Sequence, residues 1–142
     1  MDRRAMFCAL GAAAATSAVL PAFALDEHHN HGGGAKHQSL IEASSACSTA
    51  AELCVTHCVA MLAEGAKDLE ACAGTSREVA VVCGGLRSLA AQSAPHLAAY
   101  AKTAAEICRA CEAECRKHPQ HPTCKGCADA CAACAAECAK VA

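Results

Sequence analysis

The sequence predicts an all-α fold, an antiparallel up-down-up-down four-helix bundle with a cysteine-lined core. From Gln38 onward the residues favour helix, and glycine and proline interrupt them at only a few places. The cysteines of each predicted helix recur at spacings that keep them on one face. Large aliphatic and aromatic residues are sparse after the first 24 positions, so cysteine is the abundant residue left to fill the interior.

Glycine and proline predict where each helix begins and ends. Gly65 suits the left-handed position after the first helix, while Pro95 and Pro122 suit the first turns of the third and fourth. The Gly84-Gly85 pair inside the second helix predicts a kink or a close contact with another helix. Short connections make neighbouring helices antiparallel. The predicted helices cover residues 38–64, 67–92, 95–117 and 122–141.

The first 24 residues predict an export signal that is removed after Ala24. Arg3-Arg4 precede a short apolar run at 8–20, and paired arginines favour the twin-arginine route. We therefore expect a periplasmic protein, or one associated with internal membranes, that retains thirteen of the fourteen cysteines. Because substrates of that route generally fold before export, the thiols would be buried or metallated before they meet an oxidising compartment.

The remainder of the chain divides into a tail and the bundle. Residues 25–37 predict a disordered tail rich in histidine and glycine, and residues 38–142 the metal-binding bundle. The tail histidines could bind metal loosely, although a solvated polar tail is the plainer interpretation. These histidines are His28, His29, His31 and His37.

Charge and residue pattern argue against several classes of function. The formal net charge is −2 and no basic run is present, so we expect no nucleic-acid partner. No stretch after residue 24 looks long and charge-free enough to span a membrane. No thiol lies beside a basic partner at a helix start, and no charged pair suits acid–base work, so we expect no enzyme.

The cysteine faces are expected to be the inward faces of the helices. At about 100° per residue, spacings of three and four residues hold the cysteines in one stripe on each helix. The same stripes contain Leu40, Leu86 and Leu97, which belong in a core, so thiols take positions that apolar residues usually occupy in a bundle. The candidate metal ligands are Cys47, Cys54, Cys58, Cys72, Cys83, Cys108, Cys111, Cys115, Cys124, Cys127, Cys131, Cys134 and Cys138.

Alternating helix directions predict a tube of thiols with two different ends. One end is formed by the first and third connections and is expected to be open, with Cys58, Cys72, Cys115 and Cys124 near it. The other end is closed by Leu40, Leu86 and Leu97, beside Cys47, Cys83 and Cys138. Met61 and His57 fall near the open end as weaker candidate ligands, and His118 and His121 lie on the third connection. Their plainer interpretations are a core methionine and solvated histidines.

Four alternatives to copper fit the cysteine pattern less well. Cysteine packs cores as a small hydrophobe, but rarely on four aligned stripes. Disulfides are common in exported proteins, yet thiols three or four residues apart on one helix rarely meet the geometry of the bond. Iron–sulfur motifs wrap their cluster with loops. Zinc requires closed sites of four ligands, and continuous stripes are not expected to supply discrete quartets.

Copper(I) fits the pattern best. It is a soft ion that prefers thiolate and accepts two or three sulfurs. Cysteines four residues apart bring their sulfurs to one side of a helix, about one turn apart, where each pair can bind one ion. The predicted pairs are Cys54/Cys58, Cys111/Cys115, Cys127/Cys131 and Cys134/Cys138. We therefore expect several copper(I) ions for each chain.

Three segments closely resemble the exported branch of the bacterial copper storage proteins, namely Cys54–Leu62, Cys108–Cys115 and Cys124–Cys138. The resemblance implies a homotetramer of four-helix bundles that holds many copper(I) ions and supplies copper enzymes, directly or through copper chaperones. All thirteen mature cysteines match the family's ligand positions, and His57 and Met61 match copper-binding residues near its open end. Glu64 and Leu69 depart from it, since relatives can carry methionine there.

Other roles and the assembly stay open on the sequence. A metallothionein-like scavenger that detoxifies copper or zinc has the same residues, and a disulfide-stabilised exported helical protein is a further alternative. A second apolar strip on the first helix could pack against a neighbouring helix or another subunit. This strip comprises Ile41, Val55, Val59 and Leu62.

Overall fold

The protein is all-α, as predicted, in a computed structural model that describes residues 36–142. No strand occurs within this range. The predicted export signal and nearly all of the predicted tail lie outside the described residues. The helices are α1 (Gln38–Ala63), α2 (Glu70–Ala91), α3 (Leu97–Cys115) and α4 (Pro122–Cys138), and a 3-10 turn, Lys67–Leu69, precedes α2.

The four helices form a closed ring around one core. Each helix packs against its neighbours in chain order, and α4 completes the ring against α1. The connections are short, so successive helices run in opposite directions. The predicted up-down-up-down bundle is therefore confirmed.

The end of α1 is closed by glycine, as predicted. Gly65 has a φ of +99°, in the left-handed region that favours glycine. The Gly65 N–H donates to the Leu62 carbonyl at 3.0 Å, and the Ala66 N–H donates to the Met61 carbonyl at 3.0 Å. These two bonds form a Schellman motif, which satisfies carbonyls that a helix end would otherwise leave unpaired.

Proline begins one helix as predicted and not the other. Pro122 occupies the first turn of α4, where its missing N–H costs nothing. Pro95 instead lies in the preceding turn, and α3 begins two residues later, at Leu97. The prediction for Pro95 was wrong because the Leu97 N–H donates to the Ala94 carbonyl, which makes this segment a turn.

The cysteine stripes face inward, as predicted. All thirteen cysteines of the described chain are 0% exposed. Leu40, Leu86 and Leu97, which were expected to close one end, are at most 5% exposed. Four further apolar residues of α2 and α3 are buried with them, namely Val79, Ala90, Ala101 and Ala104.

Gly85 makes the close helix contact that the sequence suggested. A Cβ at this position would lie 2.5 Å from the hydroxyl oxygen of Tyr100 on α3. That hydroxyl donates a hydrogen bond to the Val82 carbonyl on α2 at 3.2 Å. A Cβ at Gly84 would meet nothing within 4 Å, so the contact depends on Gly85 alone.

One expectation about hydropathy was wrong. By length and composition α1 qualifies as a candidate membrane span, with a mean hydropathy of 1.4 over its most apolar window. Alanine and cysteine count as apolar, and they raise this value even though Cys47, Cys54 and Cys58 face the other helices. The core helix of a bundle passes the same test, so the value does not by itself indicate a membrane.

The two neighbouring glycines should respond differently to substitution. Gly84→Ala should raise the free energy of unfolding by about 0.5–1 kcal/mol, because alanine favours helix over glycine. Gly85→Ala should be less stable than Gly84→Ala by about 1–3 kcal/mol, since the new methyl group displaces Tyr100. Guanidinium unfolding of the reduced, metal-free protein measures both values. Equal stability of the two variants would contradict the close contact.

Candidate metal centre

The core sulfurs gather into two groups of four and two groups of three. In each group the sulfurs lie within 4.8 Å of one another. The inner quartet takes one cysteine from each helix and comprises Cys47, Cys83, Cys108 and Cys134. The outer quartet comprises Cys54, Cys58, Cys72 and Cys124. The three-sulfur groups are Cys54/Cys115/Cys127 and Cys111/Cys127/Cys131.

The quartets correct one sequence-based expectation. Continuous stripes were expected to supply no discrete sets of four thiols, and that argument against zinc was wrong. Stripes on helices that face one another meet at the same level of the bundle. The inner quartet arises in this way, because each of the four helices places one cysteine there.

The sulfurs are in contact but not bonded to one another. Cys72 Sγ lies 3.4 Å from Cys115 Sγ, and Cys54 Sγ lies 3.7 Å from Cys72 Sγ. A disulfide requires about 2.05 Å, and every cysteine within residues 36–142 is a free thiol. This part of the chain therefore carries no disulfide framework.

The predicted pairs at a spacing of four residues are placed unequally. Cys54 and Cys58 have their sulfurs 3.9 Å apart, and those of Cys111 and Cys115 are 3.8 Å apart. Cys127 and Cys131 share a three-sulfur group. Cys138 is fully buried, but it belongs to none of the four groups.

The positions of the sulfurs along the bundle agree with the predicted stacking. Cys47 and Cys83 meet in the inner quartet, while Cys58, Cys72 and Cys124 meet in the outer quartet. Sulfur contacts continue between these levels, since Cys47 Sγ lies 3.7 Å from Cys131 Sγ. Thiols therefore run along most of the core.

The end that was predicted to be open is covered. No cysteine there is exposed, and Leu69 is 0% exposed. His118, on the third connection, is 6% exposed, and its Nδ1 lies 3.7 Å from an Asp68 carboxylate oxygen on the first connection. We call this end, formed by the 64–69 and 116–121 segments, the covered end.

Histidines meet at the covered end in a way that the sequence did not predict. His57 Nε2 on α1 lies 3.0 Å from His121 Nδ1, and their ring centroids are 4.9 Å apart. The rings of His118 and His121 have centroids 6.5 Å apart. Met61 is half-buried and packs against the core. Only the position of His121 next to the predicted open end could have indicated its contact with His57.

His118 is a buried histidine with an incomplete set of partners. Within residues 36–142 its Nε2 has no hydrogen bond, although a Glu114 carboxylate oxygen lies 3.8 Å away. Glu114 is itself paired with Lys117 on the surface. His118 therefore links the third connection to the first through Asp68, and to the last turn of α3 through Glu114.

The thiols hydrogen-bond to one another, and these bonds raise the pKa of some thiols and lower the pKa of others. A hydrogen bond from Cys131 lowers the pKa of Cys108 to about 5, while the bond between Cys127 and Cys111 raises the pKa of Cys127 to about 12. Burial raises the pKa of Cys58 and Cys124, and negative charge on Cys54 adds to the effect. The pKa is lowered for Cys54, Cys108, Cys111 and Cys134.

Each sulfur group contains at least one thiol of lowered pKa. Cys108 and Cys134 belong to the inner quartet, Cys54 to the outer quartet and to one three-sulfur group, and Cys111 to the other. Metals bind thiolate rather than thiol, so each group offers an incoming ion one favoured first ligand. Binding at the remaining sulfurs must release protons.

Fold and site together define a class of protein. It is a four-helix bundle whose core holds thirteen buried thiols, the donor type that soft metal ions prefer, and twelve of them lie in groups of sulfurs within 4.8 Å of one another. A family model described as copper storage protein matches residues 34–142. The chain therefore belongs to the copper storage protein family.

Solved structures resemble the bundle closely. The Cu(I)-bound copper storage protein BsCsp3 is 34% identical, with a TM-score of 0.67, and the match covers 74% of this chain and 96% of that one. Apo copper storage protein 3 from Bacillus subtilis is 32% identical, with a TM-score of 0.65, over 73% of this chain and 96% of that one. No curated protein matches the chain significantly in sequence.

Alkaline pH should destabilise the metal-free bundle. The pKa of buried thiols such as Cys58, Cys83 and Cys124 is raised above the ordinary value of 9.0. Above pH 9 the unfolded chain loses these protons while the folded chain keeps them. The stabilisation is complete below pH 9 and is lost as pH rises towards the folded pKa values, by up to about 1.4 kcal/mol per pH unit for each thiol.

Guanidinium unfolding of the reduced protein between pH 8 and pH 11 measures this loss. The metal-loaded form is the control, because its thiolates have no protons to lose and it should not show the same decline. A metal-free protein whose stability stayed constant or rose above pH 9 would contradict the raised pKa values.

Proposed function

We propose that this protein stores several copper(I) ions on its core cysteines and holds them for delivery to copper enzymes. The observation that carries the proposal is that thirteen thiols are fully buried and that twelve of them gather into groups along the core. One or two ions would not require so many ligands. The role is storage rather than catalysis, in keeping with the description of the family.

Shared sulfurs favour copper(I) over zinc. Cys54 belongs to the outer quartet and to a three-sulfur group, and Cys127 belongs to both three-sulfur groups. Copper(I) accepts two or three sulfurs, and a bridging thiolate can serve two ions. Zinc in a structural site takes four ligands of its own, so it would use the quartets and leave the three-sulfur groups incomplete.

Charge balance in the core favours copper(I) for a second reason. Among the described residues, the buried polar side chains are those of Ser44, Ser76 and His118, so the core contains no lysine or arginine. One Cu⁺ that replaces one thiol proton leaves the charge of the core unchanged. One Zn²⁺ on four thiolates leaves an excess of two negative charges, which is costly to bury without a partner.

His57 and Met61 are proposed to receive ions at the covered end and pass them to the thiols. His57 is half-buried beside His121, and Met61 packs against the core. Imidazole and thioether bind copper(I) more weakly than thiolate does, which suits groups that must release an ion again. Because all cysteines are covered, an ion needs such intermediate ligands before it reaches Cys58, Cys72 or Cys124.

Export and assembly belong to the same proposal. We expect residues 1–24 to direct export by the twin-arginine route, so that the mature protein acts in the periplasm or at internal membranes. We also propose a homotetramer, for which the outer strip of α1 offers an apolar surface to another subunit: Val59 is 49% exposed, and Ile41, Val55 and Leu62 are half-buried. Nearby Leu53 is 60% exposed. Copper chaperones or copper enzymes are the expected recipients.

Anaerobic titration of the reduced mature protein with copper(I), against a competing chelator, tests storage directly. We expect saturation far above two ions and approaching one ion for each thiol, because that ratio keeps the core neutral. A parallel zinc titration should saturate near two ions, the number of quartets. Saturation with a single copper ion, or higher capacity for zinc, would contradict the proposal.

Substitutions at the covered end should affect rates more than capacity. The double variant His57→Ala/Met61→Leu should load copper(I) more slowly and reach nearly the same final number of ions, because the cysteines are retained. His96→Ala is the matched control, since His96 is exposed at the start of α3 and far along the chain from the covered end. Stopped-flow loading measures the rates. A collapse of capacity in the double variant would mean that these residues hold the stored ions themselves.

A further inference from the structure

Ser76 interrupts the line of thiols on α2. It is 0% exposed and lies on the inward face between Cys72 and Cys83. Its Oγ lies 3.7 Å from Cys111 Sγ and 3.8 Å from both Cys115 Sγ and Cys127 Sγ. The hydroxyl therefore faces sulfurs from α3 and α4 at a level where α2 offers no cysteine.

The hydroxyl group of Ser76 contacts sulfurs of other helices rather than a carbonyl of its own helix. A buried serine or threonine on a helix commonly donates to the carbonyl four residues earlier. Ser44 does so, donating to the Leu40 carbonyl at 2.7 Å, and the half-buried Thr75 likewise donates to the Ala71 carbonyl at 3.1 Å. The hydrogen-bond contacts of the Ser76 hydroxyl within the described chain are instead with the three sulfurs.

We infer that Ser76 is a positioning residue that hydrogen-bonds to the metal-bound thiolates of Cys111, Cys115 and Cys127. The inference rests on the proposed storage function. A hydroxyl oxygen is a hard donor and a poor ligand for copper(I), so Ser76 occupies the fourth position around these sulfurs without binding the ion. It keeps the middle of the core at three-sulfur coordination, supplied by α3 and α4.

The hydrogen bond has a specific energetic role. A copper(I) ion bound by three thiolates balances only one of their three negative charges, and the buried residues of the described chain include no lysine or arginine. A hydroxyl donor disperses part of that charge where burial makes it most costly. Ions held near Ser76 should therefore be retained more strongly than the sulfurs alone would allow.

Ser76→Ala tests the inference, with Ser44→Ala as the matched control. Both variants remove one fully buried hydroxyl from a core helix, but Ser44 is bonded within its own helix. In the copper-loaded mature protein, Ser76→Ala should keep the total capacity and release a subset of ions to a chelator about tenfold more readily. The factor reflects the loss of one hydrogen bond to a charged group. Ser44→Ala should release copper as the parent does.

Thermal unfolding of both metal-free variants separates a loss of ion retention from a general loss of stability. Release curves of Ser76→Ala that coincide with those of the parent would overturn the inference. Release that is equally faster in Ser44→Ala would also overturn it, because the effect would then come from packing. A parent protein that binds no copper would instead refute the storage function.

Ser76→Cys is a second test that does not depend on removing a group. Its sulfur would stand beside the sulfurs of Cys111, Cys115 and Cys127 and add a fourth thiol to the three that Ser76 contacts. We expect capacity at or above that of the parent, with release at least as slow. A variant that folds normally but holds fewer ions would show that Ser76 does not face the metal-bound thiolates.

Discussion

The structure depends on the burial of many thiols against one another, with no lysine or arginine among the buried residues of the described chain to balance the charge of a thiolate. A neutral thiol is a small apolar group that can pack a core, whereas a buried thiolate requires a cation nearby. The metal-free bundle can therefore keep its interior only while most thiols are protonated. Each copper(I) ion that binds replaces one thiol proton, so the net charge of the core does not change.

This constraint explains the composition of the helices. A sulfur-filled core leaves little room for large side chains, so alanine recurs on the inward faces, as at Ala51, Ala104 and Ala128. Leucine is retained where the sulfurs end, at Leu40, Leu86 and Leu97. Because contacts between thiols replace much of the usual aliphatic packing, metal binding should contribute strongly to the stability of the fold.

The sequence predicts most of the fold because its signals are local and periodic. The cysteine spacing identifies the inward face of each helix, and Gly65 and Pro122 identify two helix boundaries from backbone geometry alone. Pro95 misleads, since proline suits a turn just as well as the first residues of a helix. The Gly84-Gly85 pair predicts a kink or a close contact, and only the position of Tyr100 in the structure shows that Gly85 makes the contact.

The parts of the site that were missed all depend on contacts between helices. The inner quartet requires the relative height of four helices, which a single stripe does not contain. His121 meets His57 because the last connection folds over the end of α1. In the sequence Ser76 is an ordinary polar residue, and only the structure shows that three sulfurs from other helices surround it.

The covered end controls the rate at which stored ions leave, in addition to the affinity that the thiolates provide. If tight binding by thiolates were the only control, release would be slow and would not distinguish one ion from another. Every ion would then have to wait for thermal unfolding of the same bundle. Here the cover consists of the segments that join the helices, and it is fastened by a half-exposed histidine pair and by the contacts of His118 with Asp68 and Glu114. Connections open at a lower free energy than helices do. Opening them would expose Cys58, Cys72 and Cys124 first and leave the inner quartet closed, so ions should leave in order from the covered end inward.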